Sequence, residues 1–584
     1  MSSQNSQAIT SDDGGKFAFR DLTPGQYRLT VTRDGYVPSE YGQRSPSGSG
    51  VPITLSAQQQ FKDARVAMVQ TGTISGRILT RYGEPAGNAN VQALRYTYQD
   101  GRRSLTVTQT IRTNDLGEFR LFWMAPGQYI ISAQGTDSLS VGPGETFMVQ
   151  APRGGGGPAG LVGAFGAQLG VGGVTQIMVT GGAGPGGPGG PFAGGAPAPP
   201  PPPPLPPAMD DANMSLPVYY PGTTDVTAAA PVDLRSGGNV GGINMTLAEA
   251  KPLRIRGQVL NGGRPASGAQ VSLLQRNSAG GAFSMRSATV NSDTGAFEFR
   301  NVAPGGYELI ASLNGFGPGA MIMTAPLGAA AGLNVANAGI GRGGARVPGA
   351  PVLGARVPVD LVSADIEGVS LLLETGFNVN GRVSSEGQSA TDALSAVRIQ
   401  LVSDPQLPPL AVPAVNPEAD GSFSVTGVTP GTYRLSVANL PRNNYLKSAR
   451  LGGVDILNGG LRIDSAPNGA LDIVLATTPG TLEATVVDDR QLPVSAVTVA
   501  LVPDGAQQKR YDIYRSGTSD GSGRLRLENV VPGDYRIYAW ESVESGAWTD
   551  PDFMRSYQNN GVAVHIGENG QASTNVKLIP YRAN

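Results

Sequence analysis

The sequence predicts an all-β protein, a tandem array of about five β-sandwich domains with Gly/Pro-rich disordered insertions. Three observations support this class. One motif of fixed spacing occurs five times, apolar and polar residues alternate on both sides of it, and the 584 residues include 83 Gly and 46 Pro. Glycine and proline at that density leave few windows for a helical period of 3.6 residues. A repeat of this kind fixes the architecture before any other feature.

The motif reads Gly-x-aromatic/Leu-x-apolar-x-x-apolar-x-Pro-Gly-x-Tyr-x-apolar. Its apolar residues two apart, such as Phe17 and Phe19, predict a strand with one buried face. The first glycine follows a short polar turn, and at positive φ it would close a hairpin from the strand upstream. The copies begin at Gly15, Gly117, Gly295, Gly421 and Gly523.

The Pro-Gly pair predicts a tight turn, in which proline presets φ and glycine takes the left-handed position. The tyrosine that follows is expected to bury its ring and to bond its hydroxyl to the turn, as in a tyrosine corner. Because active sites rarely recur in every copy, we predict a structural role for these residues. They are Pro24, Pro126, Pro304, Pro430 and Pro532, followed by Tyr27, Tyr129, Tyr307, Tyr433 and Tyr535.

Further strands flank the motif. Four copies are preceded by a strand with a central small residue, as in Ile74-Ser75-Gly76-Arg77-Ile78, and by a second strand such as 91–94. Closing strands are predicted at 61–68, 240–247, 369–373, 471–475 and 572–578. A full unit therefore holds about seven strands in roughly 100 residues, the size of one β-sandwich.

The order Gly-x-Val, Pro, Ala-x-Val-x-Leu, Asp-x-Gly-x-Phe-x-Phe, Pro-Gly-x-Tyr resembles the carboxypeptidase regulatory-like domain in its tandem, bacterial form. This resemblance covers most of the chain outside the low-complexity segments. It implies a transthyretin-like, immunoglobulin-like sandwich that is grouped with carbohydrate-binding-like folds. The resemblance is to the accessory domain of metallocarboxypeptidases alone, since their zinc site needs two histidines and a glutamate and this chain has one histidine. Fold does not imply activity.

We divide the chain into five modules, which we number in chain order. They cover 1–69, 70–250, 251–374, 375–477 and 478–584. Module one lacks the two upstream strands of the other four, and half a sandwich would leave an open core and an unpaired edge. We therefore expect an N-terminally truncated chain, whose upstream sequence would supply these strands and a secretion signal. The alternative is a genuinely short first domain.

Two low-complexity insertions interrupt the array. The first, 151–212, lies in module two and ends in a run of six prolines, and the second, 315–354, occupies the matching place in module three. Such composition cannot bury enough apolar surface to offset the entropy of ordering, so both are expected to be flexible. The proline run is interpreted as a spacer, with an SH3-type ligand as the alternative.

Composition excludes several classes of function. The net charge is −2 and the 43 Lys and Arg are spread along the chain, so we expect no nucleic-acid partner. Cysteine is absent, which removes disulfides, thiol catalysis and zinc–cysteine sites and fits a secreted bacterial protein or a cytosolic one. No run of 18 apolar residues occurs, so no transmembrane segment is predicted in this chain.

Groups for catalysis are also scarce. His565, the single histidine, lies in an alternating strand where a surface position is expected, and it has no second histidine or cysteine with which to hold a metal. No Gly-x-Ser-x-Gly elbow is present between a strand and a helix. Catalysis by a pair of carboxylates, as in glycoside hydrolysis, stays open, because the 45 Asp and Glu residues offer many pairs. We predict no catalytic residue, no metal site and no cofactor.

One departure from the motif suggests a ligand surface. The two residues after the second strand position are polar or small in four copies, whereas module two has Phe122 and Trp123. We interpret these as turn positions, where exposed aromatic rings could stack on sugars or on another apolar partner. The alternative is that the pair packs against a neighbouring module or under the long insertion.

Three functions follow from these observations. The first is a non-catalytic, secreted, periplasmic or cell-surface protein whose array acts as a scaffold and binds carbohydrate or another surface protein. The second is an accessory region of a larger enzyme or of a TonB-dependent outer-membrane transporter. The third is a hydrolase that uses carboxylates, and it would need an activity that is lost on a single Asp or Glu change.

Overall fold

The computed structural model confirms the all-β class. It describes residues 7–45, 48, 50–99, 101–135, 145–150, 176–180, 213–276, 283–313, 353–387, 394–403 and 412–581. Strands dominate these residues, and no helix among them is both long and apolar enough to cross a membrane. Most of the predicted insertions, 151–212 and 315–354, lies outside the described residues, so their flexibility stays a prediction.

Module one contains only short strands, and module two contains a complete sandwich. Module one holds β1 (Gly25–Tyr27), β2 (Thr30–Val31), β3 (Ser39–Glu40) and β4 (Ile53–Leu55). Module two begins with β5 (Gly72–Leu79), β6 (Asn90–Gln99), β7 (Arg102–Arg112), β8 (Glu118–Met124) and β9 (Gly127–Gln134). It continues with β10 (Glu145–Gln150), β11 (Gln176–Thr180), β12 (Met214–Leu216), β13 (Val218–Tyr219), β14 (Val232–Leu234), β15 (Asn239–Val240), β16 (Met245–Thr246) and β17 (Ala248–Ala250).

Modules three and four have eight strands each among the described residues. Module three holds β18 (Leu253–Asn261), β19 (Arg264–Pro265), β20 (Gln270–Gln275), β21 (Phe283–Thr289), β22 (Ala296–Val302), β23 (Gly305–Leu313), β24 (Leu353–Leu361) and β25 (Ile366–Thr375). Module four holds β26 (Phe377–Glu386), β27 (Arg398–Ser403), β28 (Ser422–Val428), β29 (Gly431–Ala438), β30 (Tyr445–Leu451), β31 (Val454–Asp455), β32 (Leu461–Ile463) and β33 (Leu471–Ala476).

Module five combines strands with short helices, and module two also has one 3-10 turn, at Val226–Ala228. The strands of module five are β34 (Gly480–Val487), β35 (Thr498–Pro503), β36 (Arg515–Thr518), β37 (Arg524–Val530), β38 (Gly533–Trp540), β39 (Val562–Ile566) and β40 (Gln571–Ile579). The α-helix α1 (Pro551–Arg555) follows a 3-10 turn at Ala547–Thr549, and two further 3-10 turns cover Gly505–Lys509 and Tyr511–Ile513.

In modules two to five the first strand lies at the centre of one sheet. In module three, β18 pairs antiparallel with β22 and parallel with the closing strand β25. The equivalent pairings are β5 with β8, β15 and β16, then β26 with β28 and β33, then β34 with β37 and β40. A parallel pair needs a crossover connection. Here the second sheet, which pairs β9 with β6, β23 with β20, β29 with β27 and β38 with β35, forms that crossover.

A separate hydrophobic core fills the space between the two sheets of each of these four modules. The core of module three includes Phe299, Leu309 and Val271, which are fully buried. Neighbouring modules are not independent, because Tyr445 of module four packs into the core of module five. Strand pairing also crosses a module boundary, where β10 extends the sheet of module three through β21.

Module one departs from the expectation. No strand forms at Phe17 to Arg20 or at 61–68, although Phe17 and Phe19 contact edge to face with centroids 6.3 Å apart. In the other modules both segments pair with the first strand, and the described residues before Phe17 contain no such strand. The predicted strands are therefore wrong, because a strand without a partner leaves its backbone groups unpaired.

The turns agree with the prediction at one glycine of the motif and not at the other. The hairpin glycine has φ between 71° and 83° in all five copies. The glycine of Pro-Gly has φ near 150° in Gly127, Gly305 and Gly533, and Gly25 and Gly431 are not at positive φ. The predicted left-handed conformation after proline is wrong, because this glycine is already the first, extended residue of the next strand.

The tyrosine of the motif forms the same hydrogen bond in every copy. Its hydroxyl donates to the carbonyl oxygen of the residue four positions earlier, immediately before the proline. The bonds are Tyr27 to Thr23 at 2.6 Å, Tyr129 to Ala125 at 2.6 Å, Tyr307 to Ala303 at 2.9 Å, Tyr433 to Thr429 at 2.6 Å and Tyr535 to Val531 at 2.6 Å. Burial raises the pKa of Tyr307 to about 12, so this hydroxyl stays a donor at neutral pH.

Replacing one corner tyrosine tests how much this bond stabilises its module. Tyr535→Phe leaves the buried carbonyl of Val531 without its donor, and we expect a loss of about 1 kcal/mol. Hydrogen exchange of module-five amides in the full chain should become roughly fivefold faster. The control is Tyr581→Phe in the same module, where the ring is exposed and exchange should not change. Equal exchange in both variants would contradict a stabilising role.

Candidate functional site

The aromatic pair of module two lies on a β-bulge. Gly72 pairs with Met124 and Ile74 with Leu121, so the single residue Thr73 faces both Phe122 and Trp123. These residues are part of β8 and not of a turn, which corrects the sequence interpretation of the two positions. A bulge bends its strand and re-aims the side chains on it, and bulges are common beside functional sites.

The same bulge is present in the other complete modules. Its register shift falls between Leu253 and Ile255, between Phe377 and Val379, and between Gly480 and Leu482. The second residue of the bulge has positive φ every time, at 52° in Asn301, 76° in Gly427 and 54° in Asn529. Asp21 occupies the aligned position of module one with φ of 58°. Asn, Asp and Gly are the residues that best tolerate this left-handed region of backbone conformation.

Trp123 is the exception in this series. Its φ is 58°, a conformation that is a genuine outlier for a bulky residue and costs roughly 1–2 kcal/mol. Its side chain is 62% exposed and that of Phe122 is 43% exposed. The two rings meet edge to face with centroids 5.4 Å apart. A strained residue whose ring is left in solvent points to function more than to stability.

Polar side chains continue the same face of the sheet. Alternation along β8 places Glu118 and Arg120 on the outward side with Phe122. Across the strand pair Ser75 faces Arg120, and Arg77 faces Glu118. The result is an open face with an aromatic platform at one end and hydrogen-bonding groups beside it.

Modules three and five neutralise this face with ion pairs. In module three, Arg256 and Arg300 each donate to Glu298 through Nε at 2.9 Å. Module five has the opposite signs at the aligned positions, with Arg526 3.1 Å from the carboxylates of Glu483 and Glu528.

Module two has Ser75, Arg120 and Phe122 at the three aligned positions. No ion pair joins Arg120 to another residue in the described part of the chain. The face of module two therefore presents a guanidinium group that no described carboxylate neutralises.

Sequence reasoning found the aromatic pair but missed Arg120 and Ser75. The alternation Glu118-Phe119-Arg120-Leu121 could have indicated that Arg120 points outward. The pairing register that brings Ser75 opposite it is not visible in the sequence.

The remaining candidates do not form a site. His565 Nδ1 lies 2.7 Å from Asp534 Oδ1 on the surface, and both side chains are mostly exposed. Trp540, interpreted from the sequence as core, is 1% exposed and stacks on Tyr538 and Trp548. No group of three or more His, Asp or Glu side chains among the described residues could hold a metal ion.

The fold and this repeated bulge define an array of transthyretin-like β-sandwich modules. Residues 254–337 match the carboxypeptidase regulatory-like domain, and residues 374–443 match the second beta sandwich domain of NOMO1-like subunits of the BOS complex. The chain therefore contains carboxypeptidase regulatory-like β-sandwich domains, which confirms the resemblance seen in the sequence. Among curated proteins, none matches the chain.

Three solved structures are similar to the chain at low identity. A streptococcal ancillary pilin is 11% identical with a TM-score of 0.19, over 57% of this chain and 100% of its own. The Bacillus anthracis TIE protein is 9% identical with a TM-score of 0.14, over 97% and 76%. BcpA, the major pilin subunit of Bacillus cereus, is 11% identical with a TM-score of 0.14, over 87% and 99%. TM-scores this low give no basis for transferring shape or assembly.

Relieving the strain at Trp123 should separate function from stability. Trp123→Asn places at the bulge the residue that modules three and five use, and we expect it to stabilise module two by about 1 kcal/mol. Hydrogen exchange of the β5 and β8 amides in the full chain should slow roughly fivefold. Phe122→Thr, the residue of module four at the first bulge position, is the control and relieves no such strain. Faster exchange in Trp123→Asn would show that the indole packs as part of the fold.

Proposed function

We propose that this protein is a non-catalytic scaffold, secreted or exposed at the cell surface, and that the open face of module two binds carbohydrate. The exposed Phe122–Trp123 pair, held on the bulge at an energetic cost, carries this proposal. The rings offer apolar faces on which sugar rings stack. Arg120 and Ser75 offer hydrogen bonds to hydroxyl or carboxylate groups of the same ligand.

The repeated framework supports the scaffold part of the proposal. Modules two to five share the first strand with its two partners, the bulge and the tyrosine corner, so the residues that they share are explained by folding. The aligned positions of modules three and five are filled by compensating charges. Module two differs where a ligand would lie, which is the pattern expected when binding is added to a common fold.

A glycan and peptidoglycan binding screen of the full chain tests this proposal. Phe122→Ala and Trp123→Asn should each raise Kd, roughly tenfold for the indole, because a stacking contact of about 1.4 kcal/mol is lost. Arg120→Gln should weaken binding of uronic-acid sugars more than of neutral sugars, since it removes the charge and keeps hydrogen bonding.

The matched control is Tyr82→Ala, which removes another exposed aromatic ring from module two, away from the bulge. It should leave binding unchanged. Retained affinity in both the Phe122 and Trp123 variants, or no bound glycan with the wild-type chain, would overturn the proposal.

A further inference from the structure

We infer that module five carries a docking surface for the long hairpin of module two, so that the array folds back on itself within one chain. The hairpin consists of β6 and β7, and the surface consists of residues 541–555 together with Tyr511. We call their contact the hairpin contact. It joins two modules that are separated in sequence by two complete sandwiches.

The hairpin extends beyond the sandwich that it belongs to. β6 pairs with β7 along its whole length, from Asn90 to Gln99, but with β9 only from Asn90 to Leu94. The equivalent strand β20 of module three is six residues long, against ten for β6. A free two-stranded ribbon is marginally stable in water, so its outer half needs a surface to pack against.

Module five provides that surface through charge, hydrogen-bond and ring contacts. The guanidinium of Arg95 forms an ion pair with Glu544. The backbone N–H of Gly101 donates to Thr549 Oγ1 at 3.2 Å. The rings of Tyr98 and Phe553 lie 5.9 Å apart between centroids. Burial, with Asp550 nearby, raises the pKa of Tyr98, as expected for a hydroxyl removed from water.

The two modules approach each other closely at two glycines of the hairpin contact. A Cβ on Gly101 would lie 2.0 Å from the hydroxyl of Tyr511, and a Cβ on Gly546 would lie 2.6 Å from the carbonyl oxygen of Tyr98. A side chain at either position would force the facing module to shift, at the ring of Tyr511 in one case and at the backbone of Tyr98 in the other. Close packing of this kind distinguishes a built contact from a chance approach of two surfaces.

The docking surface rests on a second core of module five. Trp540, Tyr538 and Val502 are buried on the outer face of the β35–β38 sheet, beneath Trp548 and α1. The sheet is therefore buried on both faces, since alternate residues of the same strands fill the main core. The segment that covers this face carries Glu544, Thr549 and Phe553.

Other contacts agree with the folded-back arrangement. Tyr511 also lies under the guanidinium of Arg434 of module four, 5.5 Å from its ring centroid. Arg510 Nη2 donates to the carbonyl oxygen of Leu446 at 2.9 Å, which fixes module four beside module five. In module one, Arg44 Nε donates to the carbonyl oxygen of Ser495 at 2.5 Å. Module five is thus the common contact of modules one, two and four.

The absence of native cysteine allows a direct test in the full chain. Nitroxide labels at Thr97→Cys and Arg555→Cys flank the hairpin contact, and a pulsed dipolar measurement should give one narrow population of short distances. Gly101→Val in the labelled chain should abolish that population, because the side chain meets Tyr511. Gly546→Val should do the same from the module-five side.

Two control variants separate docking from backbone strain. Gly83→Val and Gly505→Val also lie at positive φ, but open space surrounds both positions, and the short distances should persist in each. Loss of the short distances in a control as well, or their retention in either Gly101→Val or Gly546→Val, would overturn the inference. So would a wild-type signal that disappears when labelled chain is diluted with excess unlabelled chain, since the hairpin would then dock on a second copy.

Discussion

Each complete sandwich depends on parallel pairing between its first strand and its closing strand. The closing strand approaches so closely that in modules two to four the facing residue of the first strand is glycine. A Cβ on Gly76 would lie 1.9 Å from the carbonyl oxygen of Ile243, and one on Gly257 would lie 2.2 Å from that of Val369. The chain segment between the first strand and the closing strand forms the crossover. The second sheet is therefore held in place only when both of these strands are present. Module one, whose described residues hold neither strand, forms only short pairs.

This dependence explains which parts of the fold could be predicted from the sequence. Alternating apolar residues and motif glycines are local signals, and they located the strands and the hairpin turns of four modules. The bulge is not a local signal, because it is defined by which residues of two strands pair. Trp123 therefore looked like a turn residue until the register showed Thr73 opposite it. The polar half of the candidate site, Arg120 with Ser75, could not be predicted from the sequence for the same reason, because it also depends on the pairing register.

The bulge also shows what the fold does not require. At the same three positions module three uses Arg, Glu and Arg, and module five uses Glu, Arg and Glu. Two opposite orders of charge occur in the same kind of sheet, so the fold does not fix the identity of the residues at these positions. Exposed pairs of this kind contribute little to stability. The indole of Trp123 cannot be attributed to folding in the same way, since Asn or Gly adopts the left-handed backbone there at lower energy.

The candidate binding face and the hairpin contact use different layers of module two. Phe122 and Trp123 lie on the sheet of β5 and β8, whereas the hairpin extends from the sheet of β6 and β9. Both rings are exposed while the hairpin is docked on module five. The docked hairpin therefore leaves the candidate binding face uncovered. Because the two layers share one core, the face is fixed in orientation relative to module five, and a ligand would meet a surface held by two modules instead of one module on a flexible tether.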